Sequence, residues 1–326
     1  MKHRLSPLAR TVVLLCTFGL ASPTAPARTE PIPVVPHAIR SHLDVTQSGL
    51  SGMAVDAKGV LWTVPERTRV VIPLERKGGT LAPAGEPIPL EWVPQTHDTE
   101  AMVFLPDGRL ALGTETRTQR KGDEILVARR DEDAFRVEDK IFLPYEFWKI
   151  EPQPNKGIEG LCLARGHLVA GLERAIEQGR VRHAPIAVYD LESETWTPYR
   201  LRLTSRRGKI AALTCRATER GLEVRAIERH FGTSHLLAFE IPLPPQGDEI
   251  EPKLLGTLLR PDEPSENYEA ITWLGDEGLA IVSDNHYGRI TGPTAVILIP
   301  KTVPASQNSS STAKSRATSS AGPTDD

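Results

Sequence analysis

Short runs of small apolar residues, each broken by a tight turn and closed by an acid, return five times along this chain. The segments are GLSGMAVDAKGVLWTVPER from Gly49, DTEAMVFLPDGRLALGTET from Asp98, GIEGLCLARGHLVAGLER from Gly157, KIAALTCRATERGLEVRAIER from Lys209 and NYEAITWLGDEGLAIVSDN from Asn267. Each reads as two strands joined by a turn, since brief apolar runs bounded by turn residues are a strand signature. Aligned, a first marked position holds Ser51, Glu100, Glu159, Ala211 and Glu269, and a second holds Glu66, Glu115, Glu173, Glu228 and Asp284. The two lie 15, 15, 14, 17 and 15 residues apart, and the first advances by 49, 59, 52 and 58 between repeats. Such regularity marks a repeat architecture.

Further strand-like runs follow: 124–129 and 135–143 in repeat two, 184–190 and 197–203 in three, 235–241 and 253–259 in four. Repeat one offers 69–74 and a proline-broken stretch to Trp92. Repeat five has only 295–299, and residues 37–45, ahead of repeat one, can supply its missing outer strand. Four strands per unit make a propeller blade, and an N-terminal strand completing the last blade leaves no open edge. The pattern therefore predicts an all-β, five-bladed β-propeller over residues 33–300, with four antiparallel strands per blade. Six blades is the runner-up. An open sandwich would leave the matched acids unexplained.

Composition agrees with many short segments: 28 prolines and 25 glycines in 326 residues, with aromatics at 5%. The balance of 39 Lys and Arg against 42 Asp and Glu excludes a basic nucleic-acid footprint. At the N-terminus, Lys2, Arg4 and Arg10 precede the apolar run TVVLLCTFGLA, too short to span a bilayer but fitting a signal peptide over residues 1–27. Cleavage after Ala21, Ala25 or Ala27 is possible, Ala27 being preferred. Cys16 would leave with it. Removal leaves 36 basic against 42 acidic residues, net −6, on an exported, periplasmic or secreted chain with no membrane span, expected to be a monomer. Residues 301–326, rich in Ser, Thr and Ala, have almost nothing to bury and are expected to be a flexible tail.

In a propeller the first strand of each blade lines the central channel, so Ser51, Glu100, Glu159, Ala211 and Glu269 would ring the axis. Carboxylates converging there raise one another's pKa. A Ca²⁺ ion, which takes six to eight oxygen ligands, would relieve that, with Ser51, Glu100, Glu159 and Glu269 as its protein ligands. Salt bridges tying blades together are the alternative. In the second set, Glu66, Glu173 and Glu228 are followed by Arg67, Arg174 and Arg229, while Asp284 precedes Asn285 and His286. These side chains are candidate clamps for a small anionic or phosphorylated molecule, or again for salt bridges.

KGIEGLCLARGHLVAGLER and NYEAITWLGDEGLAIVSDNHYGR, with TAVILIP behind, resemble the phytase-like propeller domain named for an esterase-like activity. The ring also resembles that of the five-bladed calcium-dependent apyrases, where serines and glutamates hold Ca²⁺ in the tunnel. Ser51, Glu100, Glu159 and Glu269 match by type and order, and Ala211 departs. On an enzyme reading, the chain is a calcium-dependent hydrolase of phosphate esters or anhydrides, with Glu115 or Glu173 as general base. A non-catalytic binding or scaffold propeller is the other reading. A catalyst should break the repeat symmetry, and the loops 118–123 and 175–183 are the places to look. No G-x-S-x-G elbow, HExxH or phosphate-binding glycine loop competes.

Cys162 and Cys215 remain after export, on the first strands of repeats three and four. A disulfide between those blades and two buried thiols both fit.

Overall fold

Each repeat folds as an antiparallel hairpin whose second strand ends close to the marked acid. The computed structural model describes residues 31–301, apart from 46, 48, 119–121, 248, 261–265 and 286–292. The expected signal segment, nearly all of the expected tail, and His286 lie outside the described residues.

A leading strand β1 (Ile39–Leu43) precedes repeat one, which contributes β2 (Leu50–Val55), β3 (Leu61–Pro65), β4 (Val70–Lys77), β5 (Thr80–Pro83) and β6 (Ile88–Glu91). Repeat two contributes β7 (His97–Phe104), β8 (Leu110–Thr116), β9 (Glu124–Arg130) and β10 (Phe135–Phe142), followed by a single 3₁₀ turn at Tyr145–Trp148. From repeat three come β11 (Ile158–Ala164), β12 (His167–Leu172), β13 (Ile176–Gln178), β14 (Val181–Asp190) and β15 (Thr195–Arg202). From four come β16 (Lys209–Ala217), β17 (Gly221–His230), β18 (Thr233–Pro242), β19 (Glu249–Ile250) and β20 (Lys253–Thr257). Repeat five supplies β21 (Asn267–Trp273), β22 (Gly278–Asp284) and β23 (Thr294–Pro300).

The strands run as meanders in the orders β2-β3-β4-β6, β7-β8-β9-β10, β11-β12-β14-β15, β16-β17-β18-β20 and β21-β22-β23-β1. A short parallel contact, Phe135 to Leu90 and Arg136 to Glu91, joins the first two meanders edge to edge, and β19 adds to β15 in the same way. The leading strand pairs antiparallel with β23, Ile39 opposite Leu298 and Leu43 opposite Thr294, so the N-terminal segment fills the place the sequence assigned to it. First strands pack side by side in a closed circuit: β2 on β7, β7 on β11, β11 on β16, β16 on β21 and β21 on β2. This is a β-propeller architecture.

Apolar side chains fill the wedges between neighbouring sheets. Between repeats three and four, Val169, Ile186 and Leu201 meet Leu222, Val224 and Phe239, all buried. Toward the axis the strands come too close for side chains. A Cβ on Gly52 would lie 3.0 Å from the Ala101 carbonyl carbon, and one on Gly160 would lie 2.6 Å from the Leu213 amide. The corresponding residues elsewhere are Ala101, Ala212 and Ala270, so every repeat keeps this place small. Beside it, Cys162 of β11 and Cys215 of β16 form a disulfide with a Cα separation of 5.6 Å. No helix among the described residues is long and apolar enough to cross a membrane.

Candidate functional site

In every repeat the first marked residue is the extra residue of a β-bulge. The ladder between first and second strands skips Ser51, Glu100, Glu159, Ala211 and Glu269 in turn. A bulge leaves its extra residue unpaired and re-aims its side chain. Five bulges at one level therefore present one side chain per repeat. Ser51, Glu159 and Glu269 line a channel whose free volume of about 10 Å³ is close to the space of one water-sized sphere.

The second set closes the hairpins two residues before each bulge. Glu66 N–H bonds the Gly49 carbonyl at 2.7 Å, and Glu173 N–H bonds that of Gly157 at 2.9 Å, while Glu115 faces Asp98 and Asp284 faces Asn267. Repeat four differs from the sequence alignment. There the residue facing Lys209 is Arg229, not Glu228. A shift of one residue turns a strand side chain to the other face. Glu228 accordingly turns away, fully buried, and accepts hydrogen bonds from the Thr204 and Ser205 amides, each at 2.8 Å. Arg229 takes its place and bonds the bulge residue Glu269 of the next repeat at 2.5 Å.

Most of this second level is tied down. Arg67 bonds Glu66 at 2.7 Å and reaches Asp98 at 3.7 Å. Lys156 donates to Glu173 Oε2 at 2.5 Å, and Lys209 pairs with Oε1 of the same carboxylate from the neighbouring repeat. Asn267 bridges Glu269 at 2.9 Å and Asp284 at 3.2 Å, while Asn285 Oδ1 accepts from Gly49 N–H. Glu115 is the exception: among the described residues no side chain or backbone group hydrogen-bonds or ion-pairs its carboxyl.

Carboxylates gather in two triads, Glu66 with Asp98 and Glu100, and Glu115 with Glu159 and Glu173, one oxygen of each within 4.8 Å of the others. Gly157 makes the second triad possible, because any Cβ there would stand 2.7 Å from Glu115 Cα and 2.6 Å from the Thr114 carbonyl oxygen. Burial, then Glu159, pushes Glu115 up to about 9, against the opposing pull of Lys209. Burial pushes Glu269 up to about 8, with Arg229 pulling it down and Glu159 pushing it further up. Glu100 is held well above the usual carboxylate range by burial and then by Glu159.

A divalent cation fits what is present. The Ser51 hydroxyl is buried in the channel wall without a hydrogen-bond partner, and neither Glu100 nor Glu159 has an ion pair among the described residues. Oxygen donors confined together without hydrogen-bond or ion-pair partners suit a hard ion such as Ca²⁺. Ala211 contributes only a methyl group.

Above Glu173 opens a cleft of about 470 Å³, lined by Lys156, Arg174, Arg182, Arg207, Lys209 and His230, with Glu173 and Glu177 as its acids. The ribbon of β13 and the start of β14, spanning the predicted loop 175–183, forms one wall, so the repeat symmetry breaks here. Of the three arginines predicted as clamps, only Arg174 reaches this cleft. Arg67 and Arg229 are engaged with acids at their own level. Sequence reasoning missed Lys156, Lys209, Asp98 and Asn267. The last three share the place two residues before the bulge, a periodicity readable in principle.

The family described as phytase-like, esterase-like activity of phytase, matches residues 45–287. No curated protein matches the chain. Among solved structures, the PQQ-bound aldose sugar dehydrogenase of Streptomyces coelicolor is 12% identical with a TM-score of 0.43, covering 82% of this chain and 99% of its own. A protein of unknown function from Dyadobacter fermentans is 11% identical at 0.46, covering 82% and 100%. Virginiamycin B lyase from Staphylococcus aureus is 10% identical at 0.39, covering 80% and 99%.

Proposed function

This chain belongs to the phytase-like family, and on that premise we propose that it is an exported, five-bladed propeller that hydrolyses anionic esters, phosphate esters foremost, at the cleft beside Glu115. The observation that carries this is the exception at Glu115. Architecture accounts for the other groups of its level, each bound to a neighbour, but not for a buried carboxyl without a partner beside a cationic cleft.

The phosphoryl group lies against Lys156, Arg174 and Lys209, which offset its charge. Glu173, ion-paired on both oxygens, holds the two lysines and takes no part in proton transfer. Glu115, protonated at neutral pH, gives its proton to the departing oxygen as the ester bond breaks. Water supplies the new oxygen, and its proton restores Glu115. Ser51, Glu100, Glu159 and Glu269 would hold calcium, which when bound would supply positive charge to offset the acidic groups converging there. The disulfide supports an oxidising compartment.

Purified mature protein, screened with and without calcium, should release product from phosphate monoesters or simple esters. Glu115→Gln should lower kcat about 10²-fold or more, the usual worth of a positioned proton donor. No turnover of any ester overturns catalysis. The second reading, a binding propeller without turnover, is favoured by the inter-repeat pairs Lys209–Glu173 and Arg229–Glu269, which look structural. It predicts phosphate binding that survives Glu115→Gln and no catalysis.

A further inference from the structure

Among the described residues, repeat four carries a feature its counterparts lack. Strands β17 and β18 are ten residues each, and close through a two-residue turn, Phe231–Gly232, with His230 opposite Thr233. Gly232 at φ +69° supplies the left-handed residue such a turn needs. Since Arg229 stands level with the second set of acids, His230 and Phe231 project one and two residues further, about 3 and 7 Å along the strand. The hairpin therefore rises beside the cleft, and His230 is part of its wall.

Phe231 is 93% exposed, the most exposed large apolar side chain among the described residues. Its ring centroid lies 5.2 Å from that of His230, edge to face at 89°. The ring is thus braced by a residue that lines the cleft, while nearly all its surface stays open. In repeats one and two the residues level with His230 and Phe231 are Arg67-Thr68 and Thr116-Arg117, neither pair containing an aromatic residue.

We infer that Phe231, braced by His230, is a stacking platform for the non-anionic half of the bound ester, so that the preferred substrates are anionic esters of planar aromatic alcohols. This rests on reading the cleft as the anion site. Cationic side chains take the charged end, and an exposed aromatic face at the rim is complementary to a flat ring, which gains by offset or edge-to-face stacking. An aliphatic polyol ester would leave that face unused.

Calorimetric titration of the whole mature protein with 1-naphthyl phosphate and with inorganic phosphate tests it without requiring turnover. Wild type should bind the naphthyl ester about three- to tenfold more tightly than phosphate, the range expected of an aromatic pair. Phe231→Ala should erase that gain and leave phosphate affinity unchanged, and Phe231→Trp should keep it. Melting temperatures check that both variants fold. Equal affinities in the wild type, with phosphate bound, overturn the platform and leave the cleft reading standing. So does an equal loss of both ligands in Phe231→Ala. If neither ligand binds the wild type, the cleft reading falls and takes this inference with it.

Discussion

Glu115 and Glu159 come from neighbouring repeats, yet their carboxylate oxygens lie within 4.8 Å of each other, because the strand leading to Glu159 passes Glu115 with only a glycine between. Burial and this acidic neighbour, against the pull of Lys209, favour the protonated form of Glu115. Folding of the metal-free chain is therefore linked to pH. Glu115, pushed up to about 9 from an unfolded value near 4.5, keeps a proton in the folded chain that the unfolded chain releases. Its contribution is fully present below about pH 4.5 and is lost as pH rises through 9, and Glu269, up to about 8, acts in the same sense. In chelator, melting temperature should fall as pH is raised from 5 to 9, and Glu115→Gln should flatten that slope. A slope unchanged in the variant would detach the effect from this pair.

With calcium restored the dependence on metal should be direct. A ligand at a hundredfold excess over Kd adds about 2.7 kcal/mol to folding stability, roughly 5–10 °C in Tm for a domain of this size. Chelation should remove that increment, and Glu159→Gln should abolish most of the response. Glu192→Gln, in the exposed turn after β14, should leave it intact. Identical behaviour of the two variants would assign the ring to ion pairs alone.

The Cys162–Cys215 bridge links strands 53 residues apart in sequence. Thiol titration of the denatured, unreduced mature protein should find neither cysteine free. Replacing both by serine should lower stability by about 2–4 kcal/mol in urea, mostly by freeing the unfolded chain. Two titratable thiols per chain would contradict the bridge.

Gly157 offers a test of the site's assembly. Alanine there must displace the Thr114 carbonyl and the Glu115 backbone, an overpacking that costs about 1–3 kcal/mol. Gly85→Ala, whose new methyl would meet only the Pro73 ring edge at 3.6 Å, should be close to neutral. Urea denaturation of the two variants should separate them clearly.

Much of this was legible in the sequence for a physical reason. Hairpins are local, so GIEGLCLARGHLVAGLER announces its strands and its turn without reference to anything distant. The leading strand could be placed once the repeats were counted, since closure follows from order, whereas order alone left Cys162 and Cys215 open between a disulfide and two buried thiols. Register was harder. In repeat four the marked residues are 17 apart instead of 14 or 15, and Glu228-Arg229 offers an acid one step from the true position. Residue type pointed to Glu228, and only the ladder between β16 and β17 reveals Arg229. The bulges were hidden too, although their trace is the Gly or Ala that follows each one. Pairs such as Lys209 with Glu173 depend on packing between repeats, which spacing along one chain does not encode.

The pairing of β1 with β23 has a kinetic side. The circuit cannot close until the last strand has left the ribosome and, for an exported chain, crossed the membrane, since its partner is among the first residues of the folded body. Once out, and until β1 docks, β23 has a bare edge able to accept any free strand, including one from a second copy. Contacts this far apart in sequence form slowly. Assembly is thus a race between the chain's own beginning and its neighbours for a single edge, and dilution should favour the former.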